Sequence, residues 1–462
     1  MTTDFSGKRV YVIGLGAKGT GRATAQVLAR RGARVTVADT KAAPELAGEI
    51  AALPSSVTLE VGDRAYAGIE AADLVVISPG VPPELEPLRR ARARGIPVVA
   101  EIEVAYRLAR APIVAITGTK GKTTTTALLG RLLADAGREA LVGGNIGVPL
   151  IALADRAEIA DILVAEVSSF QLEMIETFRP RVAAVLNFFP DHLDRHPDLD
   201  AYWRAKMRIF ENQTPEDAAV LNLDQEALLP LRSGLRACLF GFSQRGAPEA
   251  AVSVRGGEIV AGDSAVCPVA AVRLRGRHNV DNALAALACM VALGVPTGRA
   301  ASTLAEFQGV PNRLEEVGVV AGVTFINDSQ ATTPAAVEVA LAAIEEPIIL
   351  IAGGRPKVPD FGPLGALIAR RVKALVTLGE AGPALATAAR AAGLAAVTQA
   401  ATLDEAVRAA FQQASPGEVA LLSPACASFD MFRNMEHRGE VFRAAVQALK
   451  EAETASQAAP AQ

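Results

Sequence analysis

Short apolar runs rich in β-branched residues alternate with alanine-rich amphipathic segments along almost the whole chain. This alternation is typical of βαβ units, in which helices cover both faces of a parallel sheet. The 462 residues exceed the usual size of a single hydrophobic core, and the strands fall into three series. The sequence therefore predicts an α/β protein of three domains, with boundaries at residues 1–102, 103–309 and 310–462. The segment 230–275 lacks a helical period and predicts a small antiparallel excursion.

The loop Gly14–Gly19 follows the first predicted strand and fits the pattern G-x-G-x-x-G. Asp39 comes about twenty residues later, where a carboxylate can bind a ribose hydroxyl. The pattern fits a nicotinamide dinucleotide, but a helix N-terminus binds any pyrophosphate, including that of a UDP-sugar. A tight turn that needs glycine for its backbone alone is a third interpretation. This loop does not decide the reaction.

A second glycine loop, "TGTKGKTT", lies between an apolar strand and a threonine-rich helix start. Gly118 and Gly121 let backbone amides approach phosphates, Lys122 can reach the β- and γ-oxygens, and Thr123 or Thr124 can bind magnesium. The strict P-loop spacing fails, because Ile116 stands where the first glycine belongs. The loop nevertheless predicts an ATP site better than a polar helix cap does.

Polar side chains follow several strands of the central series. Asn145, Glu166, Ser168 and His192 each come after an apolar run. The carboxyl ends of parallel strands line the binding crevice, so these residues are candidate magnesium and substrate ligands. Helix capping for the glutamate and an ordinary turn for the histidine remain open. Lys206 lies in a helical pattern whose other charges fit a solvated face.

Composition excludes several partners. A net charge of −4 gives no positive field for nucleic acid. The four cysteines are scattered, as expected for reduced thiols in the cytosol. The N-terminus shows no basic-then-apolar leader, and no apolar run approaches the roughly 20 residues of a spanning helix. We therefore expect a cytoplasmic protein without a membrane or nucleic-acid partner.

The motifs "TGTKGKTT", "EVSSFQL", "NFFPDHLDRH", "RAKMRIFEN", "GRHNVDNALAA", "INDSQATTP" and "SPACASFDMF" occur in this order. Together they resemble the Mur ligases of peptidoglycan synthesis, over most of the chain, and "SSFQL" with "SPACASFD" resembles the D-glutamate-adding members. The resemblance implies a Rossmann-like N-terminal domain for the UDP-sugar, a central P-loop ATPase-type parallel sheet for ATP, and a Rossmann-like C-terminal domain for the amino acid. The implied reaction is ATP-dependent amide ligation, in which the carboxylate of UDP-N-acetylmuramoyl-L-alanine becomes an acyl phosphate. The amine of D-glutamate then attacks it through a tetrahedral intermediate.

The resemblance also implies roles for individual residues. The implied catalytic residues are Lys122, Glu166, His192 and Lys206. Those implied for ATP are Gly118, Thr119, Lys120, Gly121, Lys122, Thr123, Thr124, Asn279, Arg313 and Asp328. Those implied for the UDP-substrate are Gly16, Ala17, Lys18, Asp39, Thr40, Ser78, Asn145, Ser168 and His192. Those implied for D-glutamate are Thr332, Lys357, Ser423 and Phe429. Two Mg²⁺ ions are implied on Thr123, Glu166, His192 and Lys206, with Lys206 carbamylated.

One departure from the family pattern concerns the amino acid. The family usually reads D-S-K-A-T where this chain has glutamine at Gln330. Loss of that cation removes a charge-assisted contact, so a different acidic amino acid or enantiomer remains open as acceptor. A nicotinamide-dependent oxidoreductase and a non-catalytic nucleotide switch are the alternatives of other classes. We expect a monomer acting on small molecules.

Overall fold

The structure is a computed structural model that describes residues 4–15, 19–192, 195–274 and 276–458. Within these ranges, no helix has the length and apolar character needed to cross a membrane. All further statements refer to these ranges.

Contacts divide the chain into two compact units. The first comprises Met1–Arg273 with Arg277–Phe307, and the second comprises Leu274–Gly276 with Gln308–Gln462. The first unit contains two sheets and the second contains one. The predicted α/β class with a Rossmann-like sheet at each end and a P-loop-type central sheet is confirmed. The residue boundaries of the three predicted domains stay a prediction.

The N-terminal sheet is parallel throughout, with strand order β3-β2-β1-β4-β5. Helices cover it, so four of the five residues of the β1 run "RVYVI" are buried. Its strands are β1 Arg9–Ile13, β2 Arg34–Asp39, β3 Thr58–Val61, β4 Leu74–Ile77 and β5 Val98–Ala100. Its helices are α1 Thr20–Arg30, α2 Ala47–Ala51, α3 Glu86–Ala93 and α4 Glu101–Leu108. All five strands of the predicted first series are present.

The central sheet has nine strands in the order β14-β13-β12-β11-β10-β9-β6-β8-β7. Its strands are β6 Ile113–Thr117, β7 Ala140–Gly144, β8 Ile162–Glu166, β9 Val182–Val185, β10 Ala218–Asn222, β11 Cys238–Ser243, β12 Ala250–Arg255, β13 Glu258–Ala261 and β14 Ser264–Pro268. Its helices are α5 Lys122–Asp135, α6 Leu150–Arg156, α7 Ser169–Leu172, α8 Leu199–Met207, α9 Arg277–Ala292 and α10 Ala300–Glu306. Each pairing between neighbouring strands from β6 to β12 is parallel, whereas β13 runs antiparallel to both its neighbours. The predicted antiparallel excursion is therefore confirmed.

Strand β6 is an interior strand of this sheet and lies between β8 and β9. All five of its residues are buried, and α5 and α9 pack with it into one core. Alanines occupy much of the buried side of α9, which lets this helix approach α5 closely. The loop after β6 therefore emerges from a buried part of the unit.

The sheet of the second unit has the order β15-β16-β20-β17-β18-β19. Its strands are β15 Glu315–Val320, β16 Val323–Asn327, β17 Ile348–Gly353, β18 Val372–Leu378, β19 Val397–Gln399 and β20 Val419–Leu422. Its helices are α11 Pro334–Ala343, α12 Gly362–Arg371, α13 Gly382–Ala391, α14 Leu403–Gln413 and α15 Met435–Ala458. Strands β16 to β20 pair in parallel, as predicted, and the antiparallel edge strand β15 is an addition. Strand β20 lies between β16 and β17, so the carboxyl ends of these three strands meet at one edge of the sheet.

Candidate functional site

The loop between β6 and α5 has the backbone of a phosphate-binding loop. Gly118 and Gly121 both have positive φ angles, of 154° and 82°. A Cβ atom on Gly121 would lie 2.2 Å from Oδ1 of Asn282 on α9, so the position admits only glycine. The first backbone N–H groups of α5 have no acceptor within their own helix, and such groups bind phosphate oxygens.

Two lysines converge on this loop. Nζ of Lys122 donates to the carbonyl oxygens of Gly118 and Thr119, both over 2.9 Å. Nζ of Lys206, on α8, donates to the same Gly118 oxygen over 2.9 Å, and the Lys206 side chain is buried. Burial, together with the charge of Lys122, lowers the pKa of Lys206 to about 6. The interpretation of Lys206 as part of a solvated helix face is thus excluded.

The first predicted metal ligands lie together. Oγ1 of Thr123, on the first turn of α5, donates over 2.7 Å to Oε2 of Glu166, the last residue of β8. Nδ2 of Asn145 donates to the other oxygen of Glu166 over 2.8 Å. A hydroxyl and a buried carboxylate are hard oxygen ligands, which fit Mg²⁺. Among the described residues, no group of three or more His, Cys, Asp or Glu side chains could hold a metal alone.

His192 lies on a turn that follows β9. Its φ angle is 55°, and its carbonyl oxygen accepts the N–H groups of Arg195 and His196. Its ring contacts Phe170 and Tyr202 edge-on, with centroids 5.1 and 5.9 Å apart. Nζ of Lys206 lies 4.7 Å from the centroid of the Tyr202 ring. The two residues implied for the second metal ion therefore lie against the same tyrosine.

Two of the residues implied for the UDP-substrate, Asp39 and Ser78, contact the first glycine loop. Oδ2 of Asp39 accepts the N–H of Leu15 over 3.0 Å, and Oγ of Ser78 donates to the Gly14 carbonyl over 2.6 Å. Thr40 is exposed directly after Asp39. The side chains of Asp39 and Ser78 thus hold the loop after β1 in place. Gly16, Ala17 and Lys18 lie outside the described residues.

Ser168 caps the short helix α7 in a reciprocal arrangement with Gln171. Its hydroxyl is 3.3 Å from the N–H of Gln171, and the Gln171 Oε1 accepts the backbone N–H of Ser168 over 2.9 Å. The cap fixes the start of α7 directly after Glu166. Its role toward a substrate stays a prediction.

Asn279 lies on the first turn of α9, where its Oδ1 accepts Nδ2 of Asn282 over 2.8 Å. Oδ1 of Asn282 in turn lies 3.2 Å from Oγ1 of Thr125 on α5. Asn282 therefore links the implied adenine contact to the phosphate-loop helix. The sequence motif "HNVDN" contained Asn282, but nothing in its spacing indicated this link.

In the second unit, Asp328 and Ser423 form a buried pair at the carboxyl ends of β16 and β20. Oγ of Ser423 donates to Oδ2 of Asp328 over 2.9 Å, and the Leu314 N–H donates to Oδ1. Burial raises the pKa of Asp328 to about 7, and the nearby charge of Arg313 opposes this. A second pair joins Nζ of Lys357 to Oγ1 of Thr332 over 2.9 Å.

The remaining implied residues of this unit are solvent-accessible. Arg313 is exposed directly before Leu314, and the Phe429 side chain is 63% exposed. The four residues implied for D-glutamate therefore divide into a buried serine, a lysine–threonine pair and an exposed aromatic ring. Their shared role as an amino-acid pocket stays a prediction.

Sequence analysis missed His196, which is buried beside the site. Its Nε2 lies 3.0 Å from Oγ of Ser169 on α7, and its Nδ1 lies 3.2 Å from Oε1 of Glu173. The second carboxylate oxygen of Glu173 accepts from Arg195, whose guanidinium stacks on Phe170. The turn that carries His192 is therefore held to α7 by buried polar contacts. The recurrence of histidine in "DHLDRH" was the only available signal.

Family models match three parts of the chain. Residues 8–100 match "Mur ligase MurD-like, N-terminal domain", residues 116–290 match "Mur ligase middle domain", and residues 312–426 match "Mur ligase, glutamate ligase domain". Each match covers most of one of the three sheets.

Curated relatives extend over nearly the whole chain. The UDP-N-acetylmuramoylalanine–D-glutamate ligase of Pelotomaculum thermopropionicum is 47% identical over 455 residues, covering 97% of this chain and 100% of that protein. The ligase of the same name from Trichlorobacter lovleyi is 46% identical, covering 96% and 99%.

Solved structures share the fold. UDP-N-acetylmuramate–alanine ligase of Thermotoga maritima superposes with a TM-score of 0.58 at 19% identity, covering 96% of this chain and 99% of that one. A MurF structure from Acinetobacter baumannii gives 0.57 at 18% identity, covering 90% and 91%.

Proposed function

The chain belongs to the Mur ligase family, and we propose that it joins D-glutamate to UDP-N-acetylmuramoyl-L-alanine in an ATP-dependent reaction. The members of this family are ligases that form amide bonds with ATP. The observation that carries the proposal is the convergence of Lys122, Lys206 and the Thr123–Glu166 pair on one glycine loop. The near-full-length likeness to relatives named for D-glutamate supports the choice of substrates.

The phosphate loop supplies the groups that activate a carboxylate. A carboxylate is a poor electrophile until one of its oxygens leaves as phosphate. N–H groups at the start of α5 and the Lys122 ammonium would bind the transferring phosphoryl group and offset its charge. Mg²⁺ bound at Thr123 and Glu166 would neutralise further phosphate charge. The products of this step are ADP and an acyl phosphate, and the amine of D-glutamate then displaces phosphate.

Carbamylation of Lys206 is part of the proposal. A neutral amine attacks CO₂, forms an N–C bond and releases one proton to water, which leaves a carbamate anion. The lowered pKa of Lys206 provides that neutral amine at pH 7. The product carries two hard oxygens beside Tyr202 and the turn of His192, so it would bind the second Mg²⁺ there.

The second unit carries the residues proposed for the amino acid. The Lys357 ammonium beside Thr332 suits a carboxylate of the acceptor, and the buried Asp328–Ser423 pair fixes the neighbouring strand ends. Gln330 lies between them in sequence and supplies no cation. D-Glutamate is therefore proposed from the relatives, and other acidic amino acids are the competitors to test.

We propose that the enzyme acts in the cytoplasm as a monomer. The test is phosphate release from ATP with UDP-N-acetylmuramoyl-L-alanine and D-glutamate, each supplied alone and then together. Release that requires both substrates is expected. ATP turnover indifferent to both would contradict the proposal and favour a nucleotide switch. A parallel NADH titration tests the oxidoreductase alternative, for which a fluorescence change on binding is required.

A further inference from the structure

The side chain of Asn187 binds the phosphate loop at several points. Oδ1 of Asn187 accepts two successive backbone N–H groups, that of Thr119 over 3.1 Å and that of Lys120 over 2.9 Å. Its Nδ2 donates to the Lys120 carbonyl over 3.1 Å. The backbone oxygen of Asn187 also lies 3.2 Å from the Thr119 nitrogen. One residue that follows β9 thus satisfies three polar groups of the loop after β6.

The hydroxyl of Thr119 ties the loop to the same segment. Its Oγ1 accepts the N–H of Phe189 over 3.0 Å and lies 3.2 Å from both the Phe189 carbonyl oxygen and the Tyr202 hydroxyl. Tyr202 lies one helical turn before Lys206 on α8. The phosphate loop, the segment leading to His192 and helix α8 therefore form one hydrogen-bonded unit.

These contacts assign the loop's N–H groups to different partners. The N–H groups of Thr119 and Lys120 donate to Oδ1 of Asn187 and are therefore not the groups that would donate to a phosphate oxygen. Phosphate binding then falls to the N–H groups at the start of α5 and to Lys122. A glycine loop has several backbone conformations, and fixing one of them before the ligand arrives lowers the entropic cost of binding.

We propose that Asn187 is a positioning residue for the nucleotide phosphates. It holds the loop in the conformation that presents the start of α5 to them, and it keeps the loop in register with the turn of His192. This role rests on the proposed function only in taking the loop to bind ATP. Asn187 acts through the loop backbone rather than on a reacting atom.

The test compares Asn187→Ala and Asn187→Asp with the same two changes at Asn212. Asn212 also donates from Nδ2 to two backbone carbonyls, those of Glu176 and Phe178, but not to the loop. The dissociation constant of Mg-ADP is measured by calorimetry on the full chain. We expect it to rise about tenfold in Asn187→Ala, which corresponds to the loss of one or two net hydrogen bonds.

Asn187→Asp should weaken ADP binding at least as much, because its carboxylate repels both the Lys120 carbonyl and the phosphates. The Asn212 variants should bind ADP within about twofold of the unmodified chain. In the ligase assay, KM for ATP should rise while KM for the other two substrates stays within about twofold.

Two results would overturn the proposal. One is Mg-ADP binding by Asn187→Ala within twofold of the unmodified chain. The other is an equal rise of all three KM values with a general loss of stability, which denotes a purely structural role. ADP binding is measured without ligation. If the unmodified chain binds ADP but fails to ligate, the proposed function is refuted, and the ADP affinities of the variants still test the role of Asn187.

Discussion

Lys122 and Lys206 donate hydrogen bonds to the same carbonyl oxygen, that of Gly118, although they lie on different helices. Two ammonium groups at one oxygen would repel each other, and only one of them is buried away from water. Burial, together with the charge of Lys122, lowers the pKa of Lys206 to about 6.

Replacing Lys206 by Ala should abolish ligation and leave the fold intact, because the carbamate would be lost without a change in the sheet. Short carboxylic acids, or bicarbonate at high concentration, should restore part of the activity by supplying the missing oxygens. The measurement is phosphate release together with far-ultraviolet circular dichroism. Lys450→Ala, on the exposed side of α15, is the control. Full activity in Lys206→Ala would refute the carbamate role.

Thr123→Val should raise the Mg²⁺ concentration needed for half-maximal activity by about tenfold, because it removes one oxygen ligand and the contact that orients Glu166. Thr126→Val is a matched control on the same helix. The Thr126 hydroxyl is buried and has no hydrogen-bond partner among the described residues, so its loss should leave Mg²⁺ dependence unchanged. Magnesium titrations of both variants decide between a ligand and a packing role. Equal curves for the two variants would count against the metal site.

Gly121→Ala should prevent nucleotide binding, because the added Cβ would overlap Oδ1 of Asn282 at 2.2 Å. Gly137→Ala is the control, since Gly137 has a similar φ of 77° and nothing within 4 Å of the added atom. Both variants should lose about 1–2 kcal/mol of unfolding free energy from the left-handed backbone. Only Gly121→Ala should also lose Mg-ADP binding, measured by calorimetry. Retained ADP binding in that variant would show that the loop can shift.

Glu101 should make the stability of the first unit depend on pH. This buried residue accepts the Ile151 N–H, and desolvation raises its pKa from the ordinary value of 4.5 to about 7. The folded state then binds its proton more tightly, so this stability is present below about pH 4.5 and lost as pH rises through 7.

The Glu101→Gln variant should lack this pH dependence. The total change in unfolding free energy that Glu101 contributes is on the order of 3 kcal/mol. Urea unfolding of both proteins at pH 5, 6, 7 and 8, roughly spanning the shifted range, provides the measurement. Glu158→Gln, at an exposed position, controls for the loss of one carboxylate. Parallel stability curves for Glu101→Gln and the unmodified chain would contradict the buried-acid interpretation.

Gln330→Lys should lower KM for D-glutamate, because an ammonium would restore a charge-assisted contact of about 1.5–3 kcal/mol. A panel of D-glutamate, L-glutamate and D-aspartate, assayed with the unmodified chain and the variant, shows which acceptor gains. Gln399→Lys, exposed at the end of β19, is the control for added charge. A preference of the unmodified chain for another amino acid would correct the proposed substrate.

Much of this fold followed from local pattern. β-Branched runs between alanine-rich segments specified the parallel strands, because buried strands and amphipathic helices have different periods. The approach of the loop after β6 to Glu166 at the end of β8 was also foreseeable, since carboxyl ends of neighbouring parallel strands share one edge. The antiparallel edge strand β15 was not, because a short edge strand is set by its partner more than by its own residues.

The sequence by itself determined the order of strands and helices, the two glycine loops and the polar strand ends. Tertiary structure alone decided which polar residues act together. Lys206 reads as part of a solvated helix face, yet folding brings it to a carbonyl 88 residues away and buries it there. Asn187, which follows β9, likewise contacts Thr119 and Lys120 only because β9 pairs with β6 in the sheet. Such contacts depend on packing between segments distant in sequence, and packing, through burial and neighbouring charge, also lowers the pKa of Lys206.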